Sequence, residues 1–580
     1  MKTLLKVLLL ILGFLFLLLN KNTLLGFLLL LVIVGLYVVL YKFTSLNRLL
    51  ILLLALILYG VTVYLTWPPY KRVPAVSNSN PERSEIVETK YGRVQGVLNK
   101  DESVAVYAGI PYARAPIGEL RWKKPLPPKT WPGTLITDRF PNRSMQETNL
   151  PIMDSITRIV GYNDFDFSKR YIEQMSEDCL YLNIFKPNND AKNLPVYVYV
   201  HGGSLTGGSG SFHEYNGENL AKEDIIFITI NYRLGVFGFL ADEELMEESS
   251  DHTTGNYGFL DVIQALKWVK ENIGYFGGNP DNVTVGGESA GSVLVSALCT
   301  SPLAEGLFNR VVLESSTLAS VNPPHSYRSL EAALKQGQAI KEKYNVSSID
   351  ELRNIPAEQL LTDFSNNHHL TVDGYALLEN PYYSYQKGIH NEEAILHGAN
   401  SQESGPFIIF EQANLNTYRE KVERYFGEYT DDVLKIFPAE TNDQAKENWA
   451  TIYGAVFFNY PHYCLNRLAV KNDIPVYEYY FSKDNKALGP WHSGEMIYLY
   501  HNIPNNSNNY SDEDRKLSDT MSSYLISYIK SGNPNNSDNV EWPINSDSKT
   551  LLNFDSNVEI VDEKLVDLYK ILDKISNFEE

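Results

Sequence analysis

The pattern of apolar and polar positions divides the 580-residue chain into two unlike parts. In residues 3–19, 23–41 and 49–67 Leu, Ile, Val, Phe and Tyr are nearly continuous, interrupted by "NKN" and "KFTSLNR". The second and third runs have 19 residues each, close to the ~20 that a helix needs to cross a hydrocarbon layer about 30 Å thick. Both are expected to span a membrane. The first run is shorter and carries Lys6, which can snorkel to the headgroups. Its Lys-then-apolar order also fits a signal peptide. No small-residue cleavage site follows, however, and the next apolar run begins at once, so residues 1–67 are read as a membrane region of about three helices. "PPYKRVPAVSNSNPERS", residues 68–84, is the Pro/Ser/Asn-rich linker that follows.

From Glu85 onward short β-rich runs alternate with helical periodicity, which predicts an α/β domain over 85–580 with a mostly parallel sheet covered on both faces. "PVYVYVHGG" and "DIIFITINYRLG" read as buried strands ending in turns. "GFLDVIQALKWVKENI" places Leu260, Ile263, Leu266, Trp268 and Val269 at helical spacing, and "NVTVGGESAGSVLVSAL" reads as strand, turn and helix. The helical stretches between 328 and 365 are candidates for a cap beside a site.

Charge narrows the partners. Residues 1–80 hold seven basic residues and no Asp or Glu; removing those seven charges from the chain's −20 leaves −27 for the remainder. Such an acidic body excludes nucleic acid as a natural partner. With three spans, Lys2, Lys6, Lys42 and Arg48 face one side and Lys21, Lys71 and Arg72 the other. The positive-inside rule then puts the large domain outside the cytoplasm, at the plasma membrane; if the first run does not span, the same rule leaves that domain cytoplasmic. Cys179, Cys299 and Cys464 form no metal-ligand spacing, and no cofactor or metal is implied.

"GGESAG", residues 286–291, carries the candidate chemistry. A G-x-S-x-G elbow needs a strand, a crowded turn that projects the serine, and a helix whose first N–H groups face the site. "VTV", Gly287, Gly291 and "SVLVSAL" supply these around Ser289; a serine in an ordinary glycine-rich turn is the plain alternative. A glycine-rich loop, "HGGSLTGG" from His201, follows a predicted strand and suits an oxyanion hole. Eight histidines lie downstream of Ser289, and His492 is singled out because it follows the strand-like "PVYEYYF" and a loop. Glu403, after "AILHGANSQE", has a comparable setting for the acid.

These blocks, together with "YGRVQGV", "AGIPYARAPIGELRWKKP", "SEDCLYLNIFKP", "NYRLGVFGFL", "GNYGFLDVIQALKWVKENIGYFGGNPDN", "GANSQESG", "WHSGE" and "SGNPNN" before "EWP", resemble the type-B carboxylesterases over about residues 87–555. The resemblance implies the α/β-hydrolase fold and a serine hydrolase acting on small-molecule carboxylic esters. It implies Ser289 as nucleophile, Glu403 as acid, His492 as base, and backbone N–H groups of Gly203, Ser204 and Ala290 as the oxyanion hole. Arg121 and Glu177 match a structural ion pair of the family, while for Glu288 and Glu495, beside the catalytic residues, two readings stay open: orienting loops through hydrogen bonds, or a direct role. The family often pairs the cysteine at 179 with one upstream, and here "SMQ" at 144–146 stands where that partner would fall. No tryptophan lies between Ser144 and Cys179, which disfavours choline esters. Two alternatives stay open: a silent adhesion module of the same fold, and a thioesterase, lactonase or lipid esterase. Oligomeric state and the pairing of Cys299 with Cys464 are also open.

Overall fold

Seven stretches, most of them rich in β-branched and aromatic residues, pair in parallel to form the middle of a 13-stranded sheet. In chain order these are β1 (Leu194–Val200), β2 (Ile226–Ile230), β3 (Gly278–Glu288), β4 (Arg310–Glu314), β5 (Ala394–Asn400), β6 (Val476–Phe481) and β7 (Thr550–Phe554). Their order across the sheet is β2-β1-β3-β4-β5-β6-β7. Antiparallel strands extend both edges, including Val104–Pro111 and Tyr181–Pro187 on one side and Val558–Asp562 on the other. The computed structural model describes residues 2–148, 150–159, 170–361, 369–487, 489–505, 508–544 and 549–579.

The described chain forms two compact units. The first takes in Met1–Arg72, Thr148–Gln174 and Pro504–Asn509. Its helices α1 (Lys2–Leu19), α2 (Leu24–Phe43) and α3 (Arg48–Leu65) follow the three apolar runs. Among the described residues two helices, α2 and α3, are long and apolar enough to cross a membrane. Polar groups gather where α1 turns into α2: the Asn22 amide donates to Thr66 Oγ1 and to the Val63 carbonyl, each at 2.9 Å. Described residues on either side of 160–169 bond to this turn. Helix α4 (Pro151–Thr157) sends Ser155 Oγ to the Leu19 carbonyl at 2.6 Å, Asp154 pairs with Lys21, and Arg170 donates to the Asn22 carbonyl at 3.0 Å.

The second unit carries the sheet. Helix α5 (Tyr257–Asn272) buries Leu260, Ile263, Leu266, Trp268 and Val269 in the main core with the strands beneath it, as its 3.6-residue period demands. The helices at 330–360 pack instead on a smaller cluster around Trp122 and Phe237. Cys179, Cys299 and Cys464 are all buried free thiols. Arg121 holds Glu177 through two bonds of 2.6 and 2.5 Å and donates to the Arg353 and Ile355 carbonyls.

A second ion pair lies deeper. Arg233 meets both oxygens of Asp261 at 2.8 and 2.7 Å, with side chains 3% and 0% exposed. Removing one member of such a pair leaves a buried charge without its partner, at a cost of about 3–5 kcal/mol. Asp261→Asn is therefore expected to lower the melting temperature by several degrees, measured by thermal unfolding of the full chain in detergent. An unchanged transition would show that Arg233 finds a second counter-charge.

Candidate active site

The site is built where the parallel strands end. β3 stops at Glu288, and the next residue, Ser289, has φ 55° and ψ −124° before helix α6 (Ala290–Thr300) begins. A non-glycine residue pays strain to sit there, and the neighbours leave no slack. A Cβ on Gly291 would stand 2.0 Å from the Val200 carbonyl oxygen, and one on Gly287 2.6 Å from the Gly291 carbonyl carbon. Glycine at both positions is thus a packing requirement of the turn. Ser289 N–H donates to the Glu314 carbonyl at 2.9 Å, tying the elbow to the end of β4.

His492 comes from the loop after β6. Its Nε2 is 2.9 Å from Ser289 Oγ and its Nδ1 is 2.5 Å from Glu403 Oε2. Ser289, His492 and Glu403, separated by about 90 to 200 positions in the chain, thus lie in one hydrogen-bonded line. The other Glu403 oxygen accepts from Asn400 N–H at 2.7 Å. The Asn400 side-chain amide donates to the Trp491 carbonyl at 2.7 Å and to Glu495, so one residue at the end of β5 links the acid's loop to the histidine's loop.

The glycine loop after β1 passes directly against the elbow. A Cβ on Gly202 would lie 2.6 Å from the Glu288 carbonyl oxygen and 3.1 Å from Ser289 Cβ. Gly203 and Ser204 follow with φ of 107° and 56°, so Ser204 adopts a left-handed backbone without being glycine. Gly203 also accepts from Thr206 and Gly207 N–H, at 3.0 and 2.9 Å. The loop is braced by Gln146, which donates to the Gly208 carbonyl at 2.7 Å and accepts from Gly208 N–H at 3.0 Å. The loop and the first turn of α6, at Ala290, therefore flank Ser289 Oγ.

Behind the line sit more carboxyl groups than one imidazole needs. Glu288 Oε1 is 3.2 Å from His492 Nε2 and accepts from Ser493 Oγ at 2.5 Å. Glu495 accepts from Ser315 Oγ at 3.2 Å and from Asn400, and Glu314 accepts from Tyr500. All three are buried. Burial raises Glu288, pushes Glu495 up to about 8 and holds Glu314 well above the usual carboxyl range. For His492, burial would lower the pKa, but the nearby Glu288 and Glu403 carboxylates outweigh it and raise the imidazole to about 9.

Aromatic rings cover the exposed side of the imidazole. Phe458 and Phe407 have centroids 4.8 and 5.1 Å from it and stack on each other at 5.4 Å. Phe458 lies in a π-helical turn, Ala455–Asn459, between the helices Asn442–Gly454 and Tyr460–Lys471. Such turns are frequent at functional sites. This one supplies two consecutive rings, Phe457 and Phe458, and His325 lies 6.5 and 5.5 Å from them.

Sequence reasoning did not single out Asn400, Gln146, Ser315, Glu314, Phe407 or Phe458. Asn400 had one local clue, its place three residues before Glu403. Phe407 had none beyond the apolar run "PFIIF", and Phe458 none beyond "AVFF".

A doubly flanked, mostly parallel sheet with a serine elbow at the carboxyl end of its central strand defines the α/β-hydrolase fold. The chain belongs to the carboxylesterase family, whose model matches residues 83–568. It is 32% identical over 507 residues to a para-nitrobenzyl esterase of Bacillus subtilis (strain 168), covering 82% of this chain and 96% of that one. It is likewise 32% identical over 502 residues to carboxylesterase 1C of Rattus norvegicus, covering 80% and 88%. A Geobacillus stearothermophilus carboxylesterase structure aligns with a TM-score of 0.71 at 29% identity, over 84% of this chain and 99% of that one. The protein is a carboxylic ester hydrolase.

Proposed function

We propose that this hydrolase works through Ser289, His492 and Glu403 and an acyl-enzyme intermediate, on uncharged carboxylic esters. The observation that carries the reading is the line from Ser289 Oγ through both imidazole nitrogens to Glu403, at 2.9 and 2.5 Å. His492 Nε2 removes the hydroxyl proton as Ser289 Oγ bonds to the ester carbonyl carbon. The oxyanion that forms is held by the N–H groups of Gly203, Ser204 and Ala290. The tetrahedral species collapses by breaking the bond to the alkoxy oxygen, which leaves as alcohol with the proton from His492. Water then repeats the steps and frees the acid. Glu403 keeps the Nδ1 proton in place and stabilises the imidazolium. A pure binding role would leave this alignment without purpose.

The same proposal covers location: α1, α2 and α3 together anchor the protein in a membrane, with the hydrolase unit on the extracytoplasmic side of the plasma membrane. With three spans Lys2, Lys6, Lys42 and Arg48 lie opposite the hydrolase unit and Lys21, Lys71 and Arg72 beside it, which supports that orientation; with α2 and α3 as the only spans the same rule would place the unit in the cytoplasm.

The test is pH dependence. Nε2 accepts the serine proton only when it carries none itself, so kcat/KM for para-nitrophenyl butyrate is expected to rise with pH through an apparent pKa displaced above the ordinary 6.5, toward about 9. Glu288→Gln removes a negative charge that favours the imidazolium and should move that limb down by about one unit. A profile flat between pH 5 and 9 would refute His492 as the base. An unshifted limb in Glu288→Gln would refute the role of Glu288 in setting its charge.

A further inference from the structure

Immediately after Glu403 the chain runs "SGPFIIF", seven residues without a charge. Ile408 is buried in a core cluster and fixes the segment. Phe407, Ile409 and Phe410 are 43%, 47% and 98% exposed. Phe407 does two things at once, since its ring also packs edge-on against His492 at 5.1 Å. The exposed apolar lip therefore begins at a ring that itself packs on the imidazole.

The rest of the chain says what meets that lip. Helices α2 and α3 are long and apolar enough to cross a bilayer. The segment from Thr66 to Arg83 reaches at most about 60 Å fully extended. A domain of roughly 500 residues has a diameter of that order. Tethered so closely, it meets the lipid surface continually. The acidic body offers no attraction to anionic headgroups, so docking on a neutral surface must come from apolar insertion, which is what an uncharged Phe-Ile-Ile-Phe loop provides.

We propose that the Phe407–Phe410 lip inserts into the surface of a zwitterionic bilayer and passes bilayer-dissolved long-chain esters to Ser289. The substrate clause rests on the ester-hydrolase mechanism proposed above; the docking clause rests only on the proposed anchoring by the N-terminal helices.

The experiment uses the full chain in phosphatidylcholine proteoliposomes. Because the three native cysteines are buried, Phe410→Cys gives one reactive thiol for an environment-sensitive dye. Tyr275→Cys serves as the control, since Tyr275 is 56% exposed and precedes the amino end of β3, opposite Ser289. The dye at 410 is expected to shift to shorter wavelength and to be quenched at least two-fold by spin-labelled lipid, with the control unaffected. In parallel, Ile409→Ser/Phe410→Ser should lose at least five-fold in hydrolysis of a long-chain para-nitrophenyl ester held in the vesicles, with para-nitrophenyl acetate turnover unchanged. Phe410 is so exposed that its replacement removes almost no buried contact. A water-like dye together with an unchanged ratio of the two activities would overturn the proposal. So would a dye shielded only as protein concentration rises, without lipid quenching, since that outcome makes a second copy of the chain the occupant. If the dye is quenched by lipid while wild type hydrolyses neither ester, docking is supported and the esterase mechanism is what fails.

Discussion

Ser289→Ala is expected to lower kcat on para-nitrophenyl butyrate by about a million-fold, the loss seen when a serine hydrolase is deprived of its nucleophile. The size follows from the arrangement. His492 Nε2 has Ser289 Oγ at 2.9 Å and no other hydroxyl at that distance among its described hydrogen-bond partners. Without Oγ the imidazole can only assist water, and the glycine loop proposed as the oxyanion hole would provide a small residue of catalysis. KM should change little, because the aromatic wall and the glycine loop are untouched. The melting temperature should stay within about two degrees, because the elbow is held by backbone bonds from Ser289 N–H to Glu314 and from Val293 N–H to Ser289. A serine-directed phosphonate should label wild type at Ser289 and leave the variant unlabelled. Activity above about one per cent of wild type in a folded variant would remove Ser289 from the mechanism.

The elements that could be read from sequence were those whose signal is local. β1, β2 and the strand feeding Ser289 are short apolar runs closed by Gly or polar turns, and α5 shows its core face through five residues at helical spacing. Ser289 was legible because crowding at an elbow forces glycine onto its flanks, as the close contacts of Gly287 and Gly291 make plain. His492 and Glu403 were legible through their setting, each in a loop after a strand. What connects them was not. Asn400 reaches Trp491 and Glu495 across 91 and 95 positions, and Tyr500 reaches Glu314 across 186. No periodicity encodes such distances. The same holds for α4 and Arg170, whose bonds to Leu19, Lys21 and Asn22 tie them to the apolar helices across more than 130 positions. The aromatic wall was hidden for a different reason: a π-helical turn shifts the register of Phe457 and Phe458 relative to the regular spacing on which a helix reading depends.

Glu403→Gln separates the line's electrostatics from its geometry. The substitution keeps size and burial, and the carbonyl oxygen of Gln can still accept from Asn400 N–H. The amide NH2 then faces His492 Nδ1, so Nδ1 becomes the acceptor and the imidazole proton moves to Nε2, where it blocks the transfer from Ser289. The tautomer is wrong for a base, and the imidazolium loses the charge that stabilised it. A fall of about 10⁴ in kcat is the expected result, measured on para-nitrophenyl butyrate at a pH where wild type is on its plateau. Part of the loss should be specific to the missing charge. Two other carboxyl groups, Glu288 and Glu495, remain close by, but neither touches Nδ1, so they can hold an imidazolium without fixing its tautomer. Glu403→Asp tests this directly. It restores the charge on a shorter side chain and should regain at least ten-fold over Glu403→Gln. If Gln and Asp at 403 are equally impaired, distance to Nδ1 governs the step. If Gln costs less than about ten-fold, the carboxyl cluster as a whole, and not Glu403, supplies the negative charge.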